Sequence, residues 1–315
     1  MRYPIFTPIF IGENTFFVNF AQQLQNILTS ELLNLTTSLP MLYFPNCKIN
    51  IGLNVLRKRE DGYHDLATVF YPIPLHDNLE IKRLDEKDAP YRLLLSGNKI
   101  EGNLESNLIV RVYNDLKQEF NLPPIDIHLY KRIPTGAGLG GGSSDAAYMI
   151  KMLNEEFSLG FSADEMERRI APYGADCAFF VREQPAFATG IGDQLTPINL
   201  SLKGYHLLLV KPDDFVSTKE AYAGVVPQAP EHDLITAIQA PIETWRTTIV
   251  NDFERSVFVS HPRIAAIKQT LYDMGAVYAA MSGSGSTVFG IFKGPVCAYE
   301  EVFKDCFTFH TANLV

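Results

Sequence analysis

Between positions 134 and 147 the chain reads Pro134-Thr135-Gly136-Ala137-Gly138-Leu139-Gly140-Gly141-Gly142-Ser143-Ser144-Asp145-Ala146-Ala147. No other stretch constrains the fold as much. Five glycines in the seven positions from Gly136 to Gly142 exceed the one or so that a tight turn requires. The segment follows Ile125-Asp126-Ile127-His128-Leu129, whose alternation of apolar and polar residues predicts a half-buried strand. It runs into a predicted helix with Ala146, Ala147, Ile150 and Leu153 as apolar positions. A strand, a glycine loop and a helix start in that order leave backbone N–H groups free to wrap an anion, with the positive end of the helix dipole behind them. Ser143 and Ser144 add hydroxyls suited to a phosphate or to Mg2+. This chemistry fits a triphosphate.

Three better-known glycine motifs can be tested against it. A Walker loop needs a lysine before the serine, and Gly142 stands there. Gly136, Gly138 and Gly141 satisfy G-x-G-x-x-G. A dinucleotide fingerprint, however, opens a βαβ unit, whereas this one sits mid-chain after an alternating strand. The companion segments of a protein kinase are missing.

Composition narrows the class further. At 315 residues, 46% hydrophobic and 20% charged, the chain is an ordinary globular protein with room for two domains. A net charge of −9 argues against a nucleic-acid coat or a membrane-surface protein, although local donors can still hold a phosphate. Cys47, Cys177, Cys297 and Cys306 have no metal or redox spacing and read as reduced thiols of a cytoplasmic protein. No apolar run approaches the ~18 residues of a membrane span. The seven histidines are scattered without an HExxH pattern, so no metal site is expected from them.

Residues 1–40 carry only Arg2, Glu13 and Glu31 as charges, and from Phe17 onward their apolar spacing predicts one amphipathic helix. The segment lacks the features of a signal or transit peptide. Because Met41 stands before the first convincing strand, it is expected to be an upstream extension from a misplaced start, or else an appended helix. Further on, strands are expected over Asn46–Val55, Tyr205–Val210 and Thr287–Phe292. Ser106-Asn107 should cap a helix carrying Leu108, Val112 and Leu116. Ser162-Ala163-Asp164-Glu165 reads as a capping box, and Pro262–Met274 as a helix stopped by Gly275. Strands and helices mix irregularly, so the fold class is α+β. A seam is expected between Pro185 and Gly192.

Four further segments carry functional side chains. Lys48 and Asn50 lie on the first predicted strand, where a solvated lysine is the plain alternative. Asp61-Gly62-Tyr63-His64 combines a turn with an aromatic ring and an imidazole, fit to stack on and hydrogen-bond a base, or simply a hairpin tip. Met281-Ser282-Gly283-Ser284-Gly285-Ser286 is a second glycine-serine turn. Asp176, in Gly174-Ala175-Asp176-Cys177, precedes an apolar run read as a strand, where an aspartate is usually a turn or cap residue.

The stretch Pro134 to Ala147 resembles the phosphate-loop signature of the GHMP kinases, small-molecule kinases named for galactose, homoserine, mevalonate and phosphomevalonate. The resemblance implies a two-domain α+β architecture: a ribosomal-protein-like N-terminal domain and a ferredoxin-like C-terminal domain. It places ATP and Mg2+ on Pro134, Gly136, Gly138, Leu139, Gly140, Gly141, Gly142, Ser143 and Ser144, with Gly283 and Gly285 closing over the phosphates. With Asp61-Gly62-Tyr63-His64 it is similar to one branch of the family, which phosphorylates a hydroxyl of a cytidylyl sugar alcohol. That similarity runs over residues 43–315.

From the branch it follows that Asp176 is the base and Lys48 its partner, 128 positions away. Tyr63 and Tyr222 would sandwich the cytosine, His64 would pair with its edge, and Asn50 would orient the sugar alcohol. Residues 41–188 would form the ATP-binding domain and 189–315 the substrate domain, after the extension 1–40. A mevalonate- or homoserine-type kinase and a non-catalytic nucleotide-binding member are the alternatives. Small-molecule substrates, no nucleic acid, no membrane, and a monomer or weak dimer are expected. Cys47, where the family more often has alanine, and Cys177 are expected to bring sensitivity to oxidation or alkylation near Lys48.

Overall fold

The computed structural model describes residues 39–84, 89–100 and 102–314. The helix expected from Phe17, and both readings of residues 1–40, lie outside the described residues. Three four-stranded sheets organise the rest. The first has the order β1 (Met41–Tyr43), β4 (Asn78–Arg83), β6 (Ile125–Lys131), β5 (Tyr91–Gly97), antiparallel except for the parallel β5–β6 pair. The second runs β2 (Asn46–Lys58), β3 (His64–His76), β7 (Ala186–Thr189), β8 (Gln194–Pro197). The third runs β10 (Tyr278–Met281), β11 (Val288–Phe292), β9 (His206–Pro212), β12 (Cys306–Thr311). The last two sheets are antiparallel throughout.

The helices stand where their caps predict. Asn107 accepts from the N–H of Ile109 and opens α1 (Leu108–Phe120), which buries Ile109, Val112 and Leu116. The helix after the glycine loop is α2 (Gly141–Glu156), entered through Gly140 in the left-handed region. Ser162 accepts from Glu165 N–H at the start of α3 (Ala163–Ile170). Further on come α4 (Phe179–Arg182), α5 (Thr218–Ala223) and α6 (Pro262–Asp273), the last ended by Gly275 at φ +96°.

Three cores follow from this layering. One lies between the first sheet and α1 and α2, built on Ile127, Leu129, Val112, Met149 and Leu153. The second lies between the second and third sheets, where Ile49, Ile51 and Tyr71 meet Leu209, Phe289 and Trp245. The third joins Leu53 and Val55 to Val210, Met281 and Ile264. Strand β2 serves two cores because a bulge at Gly52 (φ +70°) shifts its register between Ile51 and Leu53. Both faces of β2 are therefore closed, and Lys48 and Asn50 are enclosed with it rather than solvated.

The α+β class holds, and one local expectation does not. Cys177–Val181 is a turn leading into the helical α4, not a strand. A short, wholly buried apolar run fits either conformation, so periodicity could not separate them. The segment Pro185–Gly192, where a seam is expected, carries β7 and its turn, with β7 paired to β3.

Candidate active site

Two clefts meet at the glycine loop. One, of about 390 Å3, is floored by Pro134 to Ser143 with Lys131 and Asp145 beneath and walled by Leu95, Asn103, Leu104, Asn107 and Leu108. The other, about 620 Å3, shares Gly136, Gly138 and Gly140 with the first. It also gathers Lys48, Asn50, Tyr63, His64, Asp176, Tyr222, Gly283 and Gly285.

The loop is a cradle that only glycine can form. Gly138 (φ +73°) lies so close to the second glycine turn that a Cβ there would be 2.0 Å from the Ser282 carbonyl oxygen. At Gly140 (φ +70°) a Cβ would meet the Phe180 ring at 2.9 Å and Lys48 Cε at 3.1 Å. The two turns are joined by the Ser282 hydroxyl, which donates to the Gly138 carbonyl (2.9 Å) and accepts from the Asn50 N–H (3.1 Å). Asn251 supports the second turn from behind, donating through Nδ2 to the carbonyls of Met281 (2.7 Å) and Gly283 (2.8 Å). One hydroxyl thus ties β2, the glycine loop and the Ser282–Gly285 turn together.

Lys48 illustrates how a buried charge is kept. Its ammonium is 2.9 Å from Asp176 Oδ2 and donates to Asn50 Oδ1 at 2.6 Å, over the face of Phe70 at 4.7 Å. Asn50 is fixed in turn, its Nδ2 donating to Thr68 Oγ1 at 2.9 Å, and Thr68 donates to the Gly52 carbonyl. The Lys48 side chain is 4% exposed and that of Asp176 is 31%, so the carboxylate is the member of the pair that reaches into the cleft. Sequence arithmetic could not bring these two residues together. β2 and the turn before α4 do.

In the same cleft His64, the first residue of β3, stacks on Tyr222 of α5, ring centroids 4.9 Å apart and 23° from parallel. Tyr222 also meets Phe253 at 78°. Burial pushes the Tyr222 hydroxyl up to about 12, with the charge of Asp176 adding to it. Burial and the neighbouring Lys58 lower the His64 pKa, which keeps the imidazole neutral at pH 7. Tyr63 is 61% exposed at the hairpin tip, its N–H held by Asp61 Oδ1. In the structure the ring that faces Tyr222 is His64.

Other expectations are also refined. Ser143 lines the first cleft and bonds to the Cys177 thiol. Ser144, one step around the helix, points inward, fully buried, with no hydrogen-bond partner for its Oγ among the described residues. It is not the cleft-facing hydroxyl that the sequence suggested. Gly283 and Gly285 line the second cleft, beside Gly136, Gly138 and Gly140 of the loop. Cys47 and Cys177 are buried, and burial holds the Cys47 thiol far above its ordinary value and pushes that of Cys177 up to about 12. Neither supplies a thiolate at neutral pH, which removes the expected sensitivity. Sequence reasoning missed Thr68, Asn251 and the Asn103–Leu108 wall, of which only the Asn107 cap gave advance signal; Ser282 stood in the second glycine-serine turn, but without its bonding role.

The donor set fits a polyphosphate: a steric cradle, the start of α2, and one facing hydroxyl. For a metal ion it offers less. Among the described residues no group of three or more His, Cys, Asp and Glu could hold a metal ion. No helix among them is long and apolar enough to cross a membrane.

Comparison with known proteins now decides the family. Residues 107–184 match the family model described as GHMP kinases N terminal domain, and 234–299 that described as GHMP kinases C terminal. Over 271 residues the chain is 53% identical to the 4-diphosphocytidyl-2-C-methyl-D-erythritol kinase of Bacteroides fragilis, covering 86% of this chain and 99% of that one. The chain belongs to the GHMP kinase family. The Bacteroides thetaiotaomicron enzyme of the same name is 56% identical over 253 residues, 80% of this chain and 92% of that one. Among solved structures, a 4-(cytidine 5'-diphospho)-2C-methyl-D-erythritol kinase superposes with a TM-score of 0.72 at 28% identity, over 86% of this chain and 98% of the other. The Methanococcus jannaschii mevalonate kinase shares the fold at a TM-score of 0.63 and 14% identity, over 87% and 98%. This GHMP kinase is a small-molecule kinase, and the fold expected from its glycine loop is the one observed.

Proposed function

We propose that this kinase transfers the γ-phosphoryl group of ATP to the 2-hydroxyl of 4-diphosphocytidyl-2-C-methyl-D-erythritol, a step of non-mevalonate isoprenoid synthesis. One observation carries the reading. A single cleft holds both the 2.9 Å Lys48–Asp176 pair and the stacked His64–Tyr222 rings. A base-recognising pair of rings has no use for an acceptor as small as mevalonate or homoserine.

Phosphoryl transfer asks a protein chiefly for positioning and charge stabilisation. The N–H groups of the loop and of the first turn of α2 hold the triphosphate, while the adenine end enters the wall formed by Asn103, Leu104, Asn107 and Leu108. Ser143 is the hydroxyl that would be available to a Mg2+ ion bound with the nucleotide, which would offset phosphate charge. Asp176 accepts the proton of the attacking hydroxyl as its oxygen bonds to the γ-phosphorus, and the bond to the β–γ bridging oxygen breaks to release ADP. Lys48, fixed by Asn50 and Phe70, orients Asp176 and offsets charge on the group in transfer. A neutral His64 has one donor and one acceptor nitrogen, the complement of a cytosine edge. Tyr222 offers its ring face to the base, and the exposed Tyr63 closes from the hairpin tip.

The chain acts as a cytoplasmic enzyme on two small molecules, with no nucleic-acid partner, as a monomer or weak dimer. Residues 41–188 carry the nucleotide site and 189–315 complete the substrate site. An acceptor comparison tests the reading: ATP turnover with the cytidylyl sugar alcohol, mevalonate and homoserine in parallel. Turnover with the first alone is expected. Turnover with either of the others, and none with the first, overturns it.

A further inference from the structure

Beneath the glycine loop lies a buried charge cluster that the transfer step does not use. Lys131, the last residue of β6, donates to Asp77 Oδ2 and, at 2.7 Å, to Asp145 Oδ2. All three side chains are 4% exposed or less. Asp77, in the turn between β3 and β4, uses its other oxygen to accept the backbone N–H groups of Arg132 (2.6 Å) and Ile133 (2.9 Å). Asp145 stands on α2, and its Oδ1 has no partner among the described residues. The Lys131 ammonium also lies 3.4 Å from where a Cβ on Gly141, the first residue of α2, would stand.

Two carboxylates share one lysine, so the cluster carries a net negative charge in the interior. Packing alone does not call for such a unit, since apolar side chains of similar volume often stabilise a fold as well. Burial, together with the Asp77 charge, pushes the Asp145 carboxyl up to about 7, a measure of how unwelcome that charge is. What the cluster has is position. Arg132 and Ile133 are the last residues before the loop, and Asp145 follows Ser144 on the helix that leaves it. The residues that enter the loop and the helix that leaves it are thus bound to one ammonium.

We propose that Asp77, Lys131 and Asp145 form a positioning clamp for nucleotide binding, which holds the two flanks of the glycine loop at the separation where its N–H groups converge on phosphate. The proposal rests on the reading of that loop as the triphosphate site. Its weak point is Asp145, which Lys131 holds by one hydrogen bond beside the Asp77 carboxyl.

Asp145→Leu severs the tie and leaves a neutral Lys131–Asp77 pair, a change the fold can carry. Asp145→Asn keeps an oxygen for Lys131 to donate to. Folding is checked by circular dichroism, ADP affinity in the presence of Mg2+ is measured by titration calorimetry, and KM is measured separately for ATP and for the cytidylyl acceptor. Asp145→Leu is expected to weaken ADP binding and raise the ATP KM by about tenfold or more, the usual consequence of losing a buried charge-assisted hydrogen bond. The acceptor KM should stay within about twofold, and Asp145→Asn should recover most of the loss. A folded Asp145→Leu with wild-type ADP affinity overturns the clamp. So does an equal rise in both KM values, which would mark a merely structural role, or an Asp145→Asn as impaired as the leucine variant. If the leucine variant does not fold, Asp145→Ala carries the same test. A wild-type chain that fails to bind ADP overturns the reading of the loop itself.

Discussion

The backbone contact between the two glycine turns yields the sharpest quantitative expectation. In Gly138→Ala the new Cβ would stand 2.0 Å from the Ser282 carbonyl oxygen, and ordinary contact begins near 3.4 Å. The turns must separate by about 1.4 Å, because the atom met is backbone and cannot rotate away. That movement stretches the 2.9 Å bond from Ser282 Oγ to the Gly138 carbonyl and displaces the loop from Asn50 and Lys48. A misplacement of about 1 Å in a catalytic arrangement costs on the order of a hundredfold in rate. The left-handed backbone at φ +73° adds about 1–2 kcal/mol of strain for any residue with a Cβ. Gly138→Ala should therefore lose about 1–3 kcal/mol of stability and at least about a hundredfold in kcat/KM for ATP. Gly160→Ala is the control. Gly160 has φ +77° but nothing within 4 Å of a new Cβ, so it carries the backbone strain without the displacement. Melting curves and steady-state kinetics on both variants read the difference. A Gly138→Ala enzyme with kcat/KM within about threefold of wild type would refute the argument that contact between the turns sets the loop's position.

Further expectations concern other groups. His64→Ala removes a ring stacked at 4.9 Å on Tyr222, and should raise the KM for the cytidylyl substrate by about tenfold while leaving ADP affinity intact; equal losses for both ligands would sink the assignment of those rings to the base. Of the four thiols, the exposed Cys297 should react first with a thiol reagent in the folded protein, and Cys47 and Cys177 only on unfolding; rapid labelling of either buried thiol with loss of activity would contradict their burial. Asp145 has a folded-state pKa raised to about 7, so the native state holds its proton more tightly than the unfolded chain does. Its contribution to stability is full below the unfolded value near 4 and is lost as pH rises towards 7. Asp145→Asn should flatten that slope, so the melting temperature of the variant gains on wild type between pH 4 and 7. Parallel curves would mean that Asp145 does not titrate there.

How much of this was legible in the sequence depends on how local each feature is. The glycine loop, the caps at Asn107 and Ser162, and the Pro262 start and Gly275 stop of α6 are set by neighbouring residues, and the fold follows them. The Lys48–Asp176 pair is not local. It was reached through resemblance alone, because pairing of β2 with β3 and the turn before α4 create the contact. Ser144 shows the limit of reading by residue type: a serine beside a phosphate loop invites a ligand role, but helical rotation turns it inward. Cys177–Val181 was misread because an apolar run buried on all sides carries no period. Asn251 and the bonding role of Ser282 were invisible because they concern backbone that only the folded chain brings near them.

The central claim is that Asp176, held by Lys48, takes the proton of the acceptor hydroxyl. Its most direct test is the turnover of Asp176→Asn, a substitution that preserves shape, with folding checked by melting temperature and KM measured for both substrates. The account predicts a fall in kcat on the order of 10²–10⁴-fold with both KM values changed only a few-fold. A folded Asp176→Asn enzyme that turns over at nearly the wild-type rate would contradict it.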